Sequence, residues 1–526
     1  MIFNPLPWQR IDIVKFNCIA QKTVGEKFPY NIKMFDSNDN EIEYQHHYVD
    51  EHPRYTQKKS ISHEYSFLAE IPACGYKTYY VVPVDPVMDS PTDNEYFIIT
   101  RDFLENEYYR INIKSNGFIE VIDKETGIVY ENLCEFEDMG DWGDEYDFSG
   151  PKDNELDLVF NTEDAAIFER SVYIDGPTQK TFKLRLNLKL PYSLTEDRYN
   201  REEWLVDNKI TMYISLYKGI KRIDFKIELE NNSKDHRIRI LFPTKIKTDE
   251  IFADGHFYVV PRKVKLPNAE NWVQKPLAMN HQKDFVSISN DSSTFAILNK
   301  GLPEYEAILD EDNTITFGIT LLRCVEWLSR DDFETRMSHA GPGLKTPGAQ
   351  CLGKYSFELA IVTSSKSNWL ESKIHLKGKE FNNPLRPIFP AMVQSPFRIS
   401  EKVILKPKGV LSYFFKTKKK EITPYLPSTL KFLEINNKSV VLSAIKKAEM
   451  TNSLIIRCYN ISSQIQEATI IFYEKFSIKN AELVNLLEEK PKNDIKAKII
   501  DYKQNILKIK LDPHVISTFK IDFDLS

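Results

Sequence analysis

Tyr109-Arg-Ile-Asn-Ile-Lys114, then Ser115-Asn116-Gly117, then Phe118-Ile-Glu-Val-Ile-Asp123, is the stretch that decides the fold. It reads as two alternating strands joined by a tight turn. Asn-Gly between such runs is a strong hairpin signal, because both residue types accept positive φ at small cost. A second turn, Lys124 to Gly127, returns the chain into Ile128-Val129-Tyr130. The same pattern continues outward. Thr181 to Lys189 and Arg222 to Glu230 alternate strictly, as do Ile495 to Ile499, Leu507 to Leu511 and Phe519 to Phe523. Each such run buries one face and wets the other. Helical periods are few; Val440 to Glu449 is the stretch read as a turn of helix.

Short alternating strands with frequent turn residues mean an all-β protein of antiparallel β-sandwich domains. A chain of 526 residues is too long for one core. Pro-rich joints at Val81–Asn94 and Lys379–Pro390 divide it into expected domains 1–98, 99–380 and 381–526, each a β-sandwich. The central block is large enough for an extended super-sandwich. The basic run Lys416 to Lys420, closed by Glu421, reads as a solvated edge hairpin.

Composition narrows the function classes. The sequence is 42% hydrophobic and 12% aromatic, which is material for packed cores. A net charge of −6 with both signs dispersed argues against a nucleic-acid partner. No run approaches 18 uninterrupted apolar residues, so no membrane span is expected. Met1 to Arg10 lacks a signal-peptide pattern. The six cysteines are scattered, with no Cys-x-x-Cys pair, which fits reduced thiols and a cytoplasmic location.

Among 76 acidic residues no catalytic pair can be chosen by spacing. The ten histidines are more informative: no His-x-Asp, His-His-Asp or His-Glu-x-x-His occurs. The cluster His46-His47-Tyr48-Val49-Asp50-Glu51-His52 reads as a polar surface loop in preference to a zinc site. The acidic segment Glu137 to Pro151 admits two readings. Its carboxylates cap backbone N–H groups in a tight crossover, or its aromatics and acids form a wall that contacts a sugar. Leu322 to Arg336, continued by His339 to Gly353, is a strand running into a long Gly- and Pro-rich loop. There Arg330 and Arg336 either form ion pairs with the neighbouring carboxylates or present donors to a polyol.

Several of these segments together resemble one family. Ile2-Phe3-Asn4-Pro5-Leu6-Pro7-Trp8 is similar to the opening of the β region in α-mannosidases of glycoside hydrolase family 38. Phe136 to Pro151 resembles their acidic Phe-Glu-Asp-x-Gly-Asp-x-Gly-Asp-Glu-Tyr segment. His236 to Thr244 resembles their Arg-x-Arg-Val-Leu-Phe-Pro-Thr strand. Trp327 to Asp332 and Thr346 to Gly353 resemble the bacterial branch, which includes mannosylglycerate hydrolases.

The resemblance implies a central galactose-mutarotase-like super-sandwich. It implies that the complete enzyme cleaves α-mannosides with retention, one carboxylate attacking C1 and a second protonating the leaving oxygen. The family's zinc, held by two histidines and two aspartates, and its aspartate nucleophile precede the Phe-Asn-Pro-Leu-Pro motif. They belong to a catalytic α/β-barrel half outside this sequence. The resemblance therefore assigns no metal ligand, cofactor or catalytic residue here, and this chain alone is expected to be inactive. It implies that Tyr146, Arg330 or Arg336 with Asp331 and Asp332, and Asp254 and His256 face the sugar. An apolar face left by the missing half would favour self-association. Two other readings remain: a stand-alone carbohydrate-binding or structural β protein, and a mutarotase-like enzyme using His256.

Overall fold

The computed structural model describes residues 1–526 apart from 23–30, 53–58, 85–96, 151–158, 199, 333–335, 389–426, 493–495 and 526. Lys416 to Lys420 therefore lies outside the described residues. All described strand pairs are antiparallel, and the one described α-helix is Ile374–Asn382. No described helix is long and apolar enough to cross a membrane.

The chain divides into two compact units. The first combines Met1–Asp93, Gly176–Thr178 and Asn383–Ser526; the second combines Asn94–Asp175 and Gln179–Asn382. In the second unit the expected hairpin forms. Tyr109–Ile113 pairs with Ile119–Asp123, Ile111 opposite Val121, with strictly alternating burial. Its turn uses one positive φ, at Gly117, and closes with Gly117 N–H donating to the Lys114 carbonyl.

Three sheets share the core of this unit. A five-stranded sheet carries the hairpin; a six-stranded and a nine-stranded sheet make up the rest. The nine-stranded sheet includes Gln179–Pro191, Leu205–Tyr217, Ile223–Asn231 and Gly353–Ser364, neighbours in that order. Its inward residues Phe182, Leu184, Leu186, Ile210, Met212, Ile214, Phe225 and Ile227 join Phe136, Ile238, Ile240, Phe317 and Ile319 of the six-stranded sheet in one core. Burying each such side chain contributes roughly 1.5–3 kcal/mol, so the alternation sets the register.

Among its described residues the first unit holds two smaller cores and a minor cluster of Phe35 and Val82. One gathers Val14, Phe16, Met34, Tyr65 and Phe67 with Ile2 and Leu385. The other fills a sandwich of two four-stranded sheets from residue 433 onward. Strand Ile2–Asn4 pairs on one side with Arg386–Pro387 and on the other with Gly75–Lys77. Strand Thr429–Lys431 pairs with Gly75–Lys77 from its other side.

Two local expectations are overturned. Val440–Lys447 is a strand paired with Leu454–Asn460, and no turn of helix forms. A bulge between Leu442 and Ala444 breaks its alternation, which is why the sequence mimics a helical period. His46 and His47 lie in strand Tyr44–His52, in place of a surface loop. His46 Nε2 sits 3.1 Å from His63 Nδ1, and His47 Nε2 sits 2.6 Å from Ser66 Oγ.

Candidate functional site

Three adjacent strands of the six-stranded sheet position the site. They are Glu135–Gly140, His236–Pro243 and Ile315–Cys324. Gly140 lies opposite His236, and His236 opposite Cys324. Antiparallel pairing thus brings the segments after Gly140 and after Cys324 to the same end of the sheet.

The first segment, Asp141 to Gly150, is a turn held by its own acids. The Asp141 carboxylate accepts from Gly143 N–H at 2.9 Å, Ser149 N–H at 3.3 Å and Arg323 Nε at 2.8 Å. The Asp144 carboxylate accepts from Tyr146 N–H and Asp147 N–H, each at 2.9 Å, and from Arg330 N–H at 2.8 Å. It also binds the Arg336 guanidinium, whose Nη1 lies 3.0 Å from Asp147 Oδ2. Gln274 Nε2 donates to Asp147 at 3.0 Å. Asp138, Asp141 and Asp144 are fully buried. Asp141 and Asp144 thus cap backbone N–H groups, as one of the two readings expects, whereas Asp138, among the described residues, pairs only with side chains. Burial raises Asp141, and Arg323 only partly offsets it.

What the turn presents outward is Tyr146, 52% exposed. The Arg336 guanidinium carbon lies 5.8 Å from its ring centre. A methyl group at Gly341 would stand 2.8 Å from the Tyr146 hydroxyl, so a side chain there would push the tyrosine ring aside. That segment is tied down by Ser329 Oγ, which accepts from Ala340 and Gly341 N–H at 2.9 and 3.1 Å.

The expected site residues divide into two groups. Tyr146, Arg330 and Arg336 meet around Asp144. Arg330 also donates to Asp332, Nε to Oδ1 at 2.8 Å, and this pairing first, against burial, holds the Asp332 carboxyl below its usual range. Asp331 Oδ2 lies 3.5 Å from His339 Nε2. Asp254 joins a different cluster. It is buried at the end of strand Glu250–Asp254 and accepts from Asp284 N–H at 3.3 Å. Lys379, from the helix, lies 3.9 Å from Asp254 and 2.5 Å from Asp284. Burial, with Asp284 adding and Lys379 opposing, pushes the Asp254 carboxyl up to about 6. His256 is exposed and stacks on His281 at 5.9 Å.

Sequence reasoning missed the two faces of the sheet beneath these loops. On one face Arg239 bonds Glu137 through Nε at 2.7 Å and also pairs with Glu306. Arg237 lies beside them, stacked 3.5 Å from the centre of the Phe148 ring. Burial first, then the Arg239 charge, brings its guanidinium down to about 10. The alternation Glu137-x-Met139 against Arg237-x-Arg239 was visible, but not that the two strands are neighbours. On the other face Asp138 pairs with Arg201 at 2.6 Å and with His236 Nδ1 at 2.5 Å. Burial would raise Asp138; Arg201 and His236 outweigh it and hold it low. His236 Nε2 faces Asn231 Oδ1 at 3.0 Å.

Among the described residues no three His, Cys, Asp or Glu side chains converge on a point that could hold a metal ion. They offer no donor set for the zinc that the resemblance implies in a complete enzyme.

Residues 104–334 match the model of the glycosyl hydrolases family 38 C-terminal domain. Residues 439–519 match that of the glycosyl hydrolases family 38 C-terminal beta sandwich domain. A curated relative, described as a putative mannosylglycerate hydrolase of Halalkalibacterium halodurans, is 27% identical over 330 residues, 60% of this chain and 34% of its own. Two solved structures from Enterococcus faecalis cover 99% of the chain at 20% identity, with TM-scores of 0.76 and 0.74. One is described as a protein in glycosyl hydrolase family 38, the other as an alpha-mannosidase. At that identity they speak for the fold. The chain spans 34% of the curated relative and 57% and 55% of the two solved chains.

Proposed function

The chain belongs to glycoside hydrolase family 38, and from that membership we propose that it is the non-catalytic β portion of an α-mannosidase, supplying scaffold and one wall of the sugar site. The single observation that carries this reading is the corner made by Tyr146 over Arg336. An exposed aromatic ring with a hydroxyl is held in place by a buried guanidinium and two loops from distant parts of the sequence. That is a rigid amphipathic surface suited to one face of a pyranose. Asp141 and Asp144 beneath are taken up by arginines and backbone N–H groups, which supports a role in holding the wall, with the reacting carboxylates supplied by the catalytic half. The curated relative points to a mannoside with a small acidic aglycone as the substrate class.

The test is reconstitution. Purified alone, the chain leaves an aryl α-mannoside intact with or without added zinc. Mixed or co-expressed with a family 38 barrel half, it restores turnover, and Tyr146→Phe lowers that turnover roughly tenfold, about 1.4 kcal/mol of lost transition-state contact. Zinc-dependent turnover by the chain alone would overturn the assignment. A Tyr146→Phe variant that reconstitutes fully would remove Tyr146 from the wall.

A further inference from the structure

Cys324 ends a strand of the six-stranded sheet, and Cys351 stands two residues before strand Gly353–Ser364 of the nine-stranded sheet. They bracket the loop that carries Trp327, Arg330 and Arg336. One amide joins them: Asn231 Nδ2 donates to Cys324 Sγ at 3.4 Å and to the Cys351 carbonyl at 2.9 Å. That shared amide sets the two cysteines side by side, close enough, with the Tyr355 hydroxyl, for each to act on the other's ionisation. The two differ in access: Cys324 is fully buried, while Cys351 is half-buried. Cys351 caps the short 3-10 turn Pro347–Gln350 with a φ of 48°, outside any strand.

We propose that Cys351 and Cys324 are an oxidisable dithiol, Cys351 the attacking thiol and Cys324 the resolving one, whose disulfide staples the two sheets at the base of the 325–350 loop. The electrostatics agree. The neighbouring Cys324 thiol, against burial, and then the Tyr355 hydroxyl and the nearby His236 pull the Cys351 thiol down to about 6. The same proximity and burial push Cys324 well above the usual thiol range. The half-exposed sulfur is thus a thiolate at neutral pH, and the buried one keeps its proton.

With hydrogen peroxide as oxidant, the Cys351 thiolate attacks one peroxide oxygen. The O–O bond breaks, hydroxide leaves and is protonated to water, and Cys351 becomes a sulfenic acid. Cys324 gives up its proton and attacks that sulfur. The S–O bond breaks, a second water leaves, and the S–S bond forms. Two thiols lose two electrons in all, and one peroxide becomes two waters.

The test uses the full chain. In the reduced protein at pH 7, iodoacetamide modifies Cys351 first, about tenfold faster than an ordinary exposed thiol. After peroxide treatment and blocking in denaturant, the titratable thiols fall from the sequence's six to four. Peptide mapping then returns a Cys324–Cys351 linked peptide. Cys324→Ser, or Cys324→Ala if the hydroxyl is not tolerated, leaves Cys351 as a sulfenic acid trapped by dimedone. Cys351→Ser abolishes both products. A wild-type map in which Cys351 stays a free thiol after peroxide, or is paired with another cysteine, overturns the proposal without recourse to any variant.

Discussion

Asp138 and Asp254 are both buried carboxyls, yet they are displaced in opposite directions. Partner geometry decides. Asp138 has Arg201 at 2.6 Å and His236 at 2.5 Å, whereas Asp254 has its lysine at 3.9 Å and a second carboxyl nearby. The folded-state value of Asp254, about 6, lies above its unfolded value of about 4. Its contribution to stability is therefore full below about pH 4 and is lost as pH rises through about 6. Asp254→Asn is expected to gain roughly 1–3 kcal/mol over the parent at pH 7.5, a gain that vanishes toward pH 4. Urea unfolding at the two pH values checks this, and an equal effect at both would refute it. Arg336 is part of the fold as well as of the candidate wall. Its guanidinium faces two buried acids, Asp144 and Asp147, so Arg336→Ala is expected to cost about 3–5 kcal/mol, read from the denaturation midpoint. Arg336 was legible as a candidate because arginines and acids crowd its segment, and Tyr146 only through the family resemblance of Phe136 to Pro151. Arg237 and Arg239 were not, because a strand does not announce its neighbour.

At the scale of elements, the acidic turn shows how a motif can be read correctly as special and still ambiguously as to purpose. Asp141-Trp142-Gly143-Asp144 offers carboxylates to solvent or to its own backbone, and only the closed turn chooses. Gly143 is what allows closure: a Cβ there would stand 2.0 Å from the Asp147 carbonyl and 2.9 Å from Asp141 Oδ1. Gly143→Ala must open the turn, freeing the N–H groups that Asp141 caps. The expected cost is about 1–3 kcal/mol, with Tyr146 displaced. Differential scanning calorimetry measures the first effect, and loss of reconstituted turnover the second. An unshifted midpoint would show that the turn tolerates opening. The strands themselves were largely legible from alternation, as Thr181 to Lys189 illustrates. They failed to be legible at bulges, where one extra residue shifts the alternation, as between Leu442 and Ala444 and between His46 and Tyr48.

At the scale of the molecule, two units with separate cores predict departure from two-state unfolding. Scanning calorimetry should resolve two transitions, or a calorimetric enthalpy above the van't Hoff value; a single two-state peak would contradict the division. Asp254→Asn and Gly143→Ala should move one transition and leave the other in place. The all-β class was legible, because it rests on periodicity repeated along the whole chain. The interleaving of the first unit was not. No local signal tells Ile2 to lie opposite Pro387, or Lys77 opposite Thr429. That pairing has a cost in time. A ribosome adding about 5–20 residues per second needs roughly 20–70 s to advance from Lys77 to Lys431. Throughout that interval strand Gly75–Lys77 is already made, while its partner Thr429–Lys431 has yet to be synthesised. The nascent chain carries an unpaired strand edge for most of its synthesis, and that edge is where a chaperone would be needed and where two growing chains would first stick together.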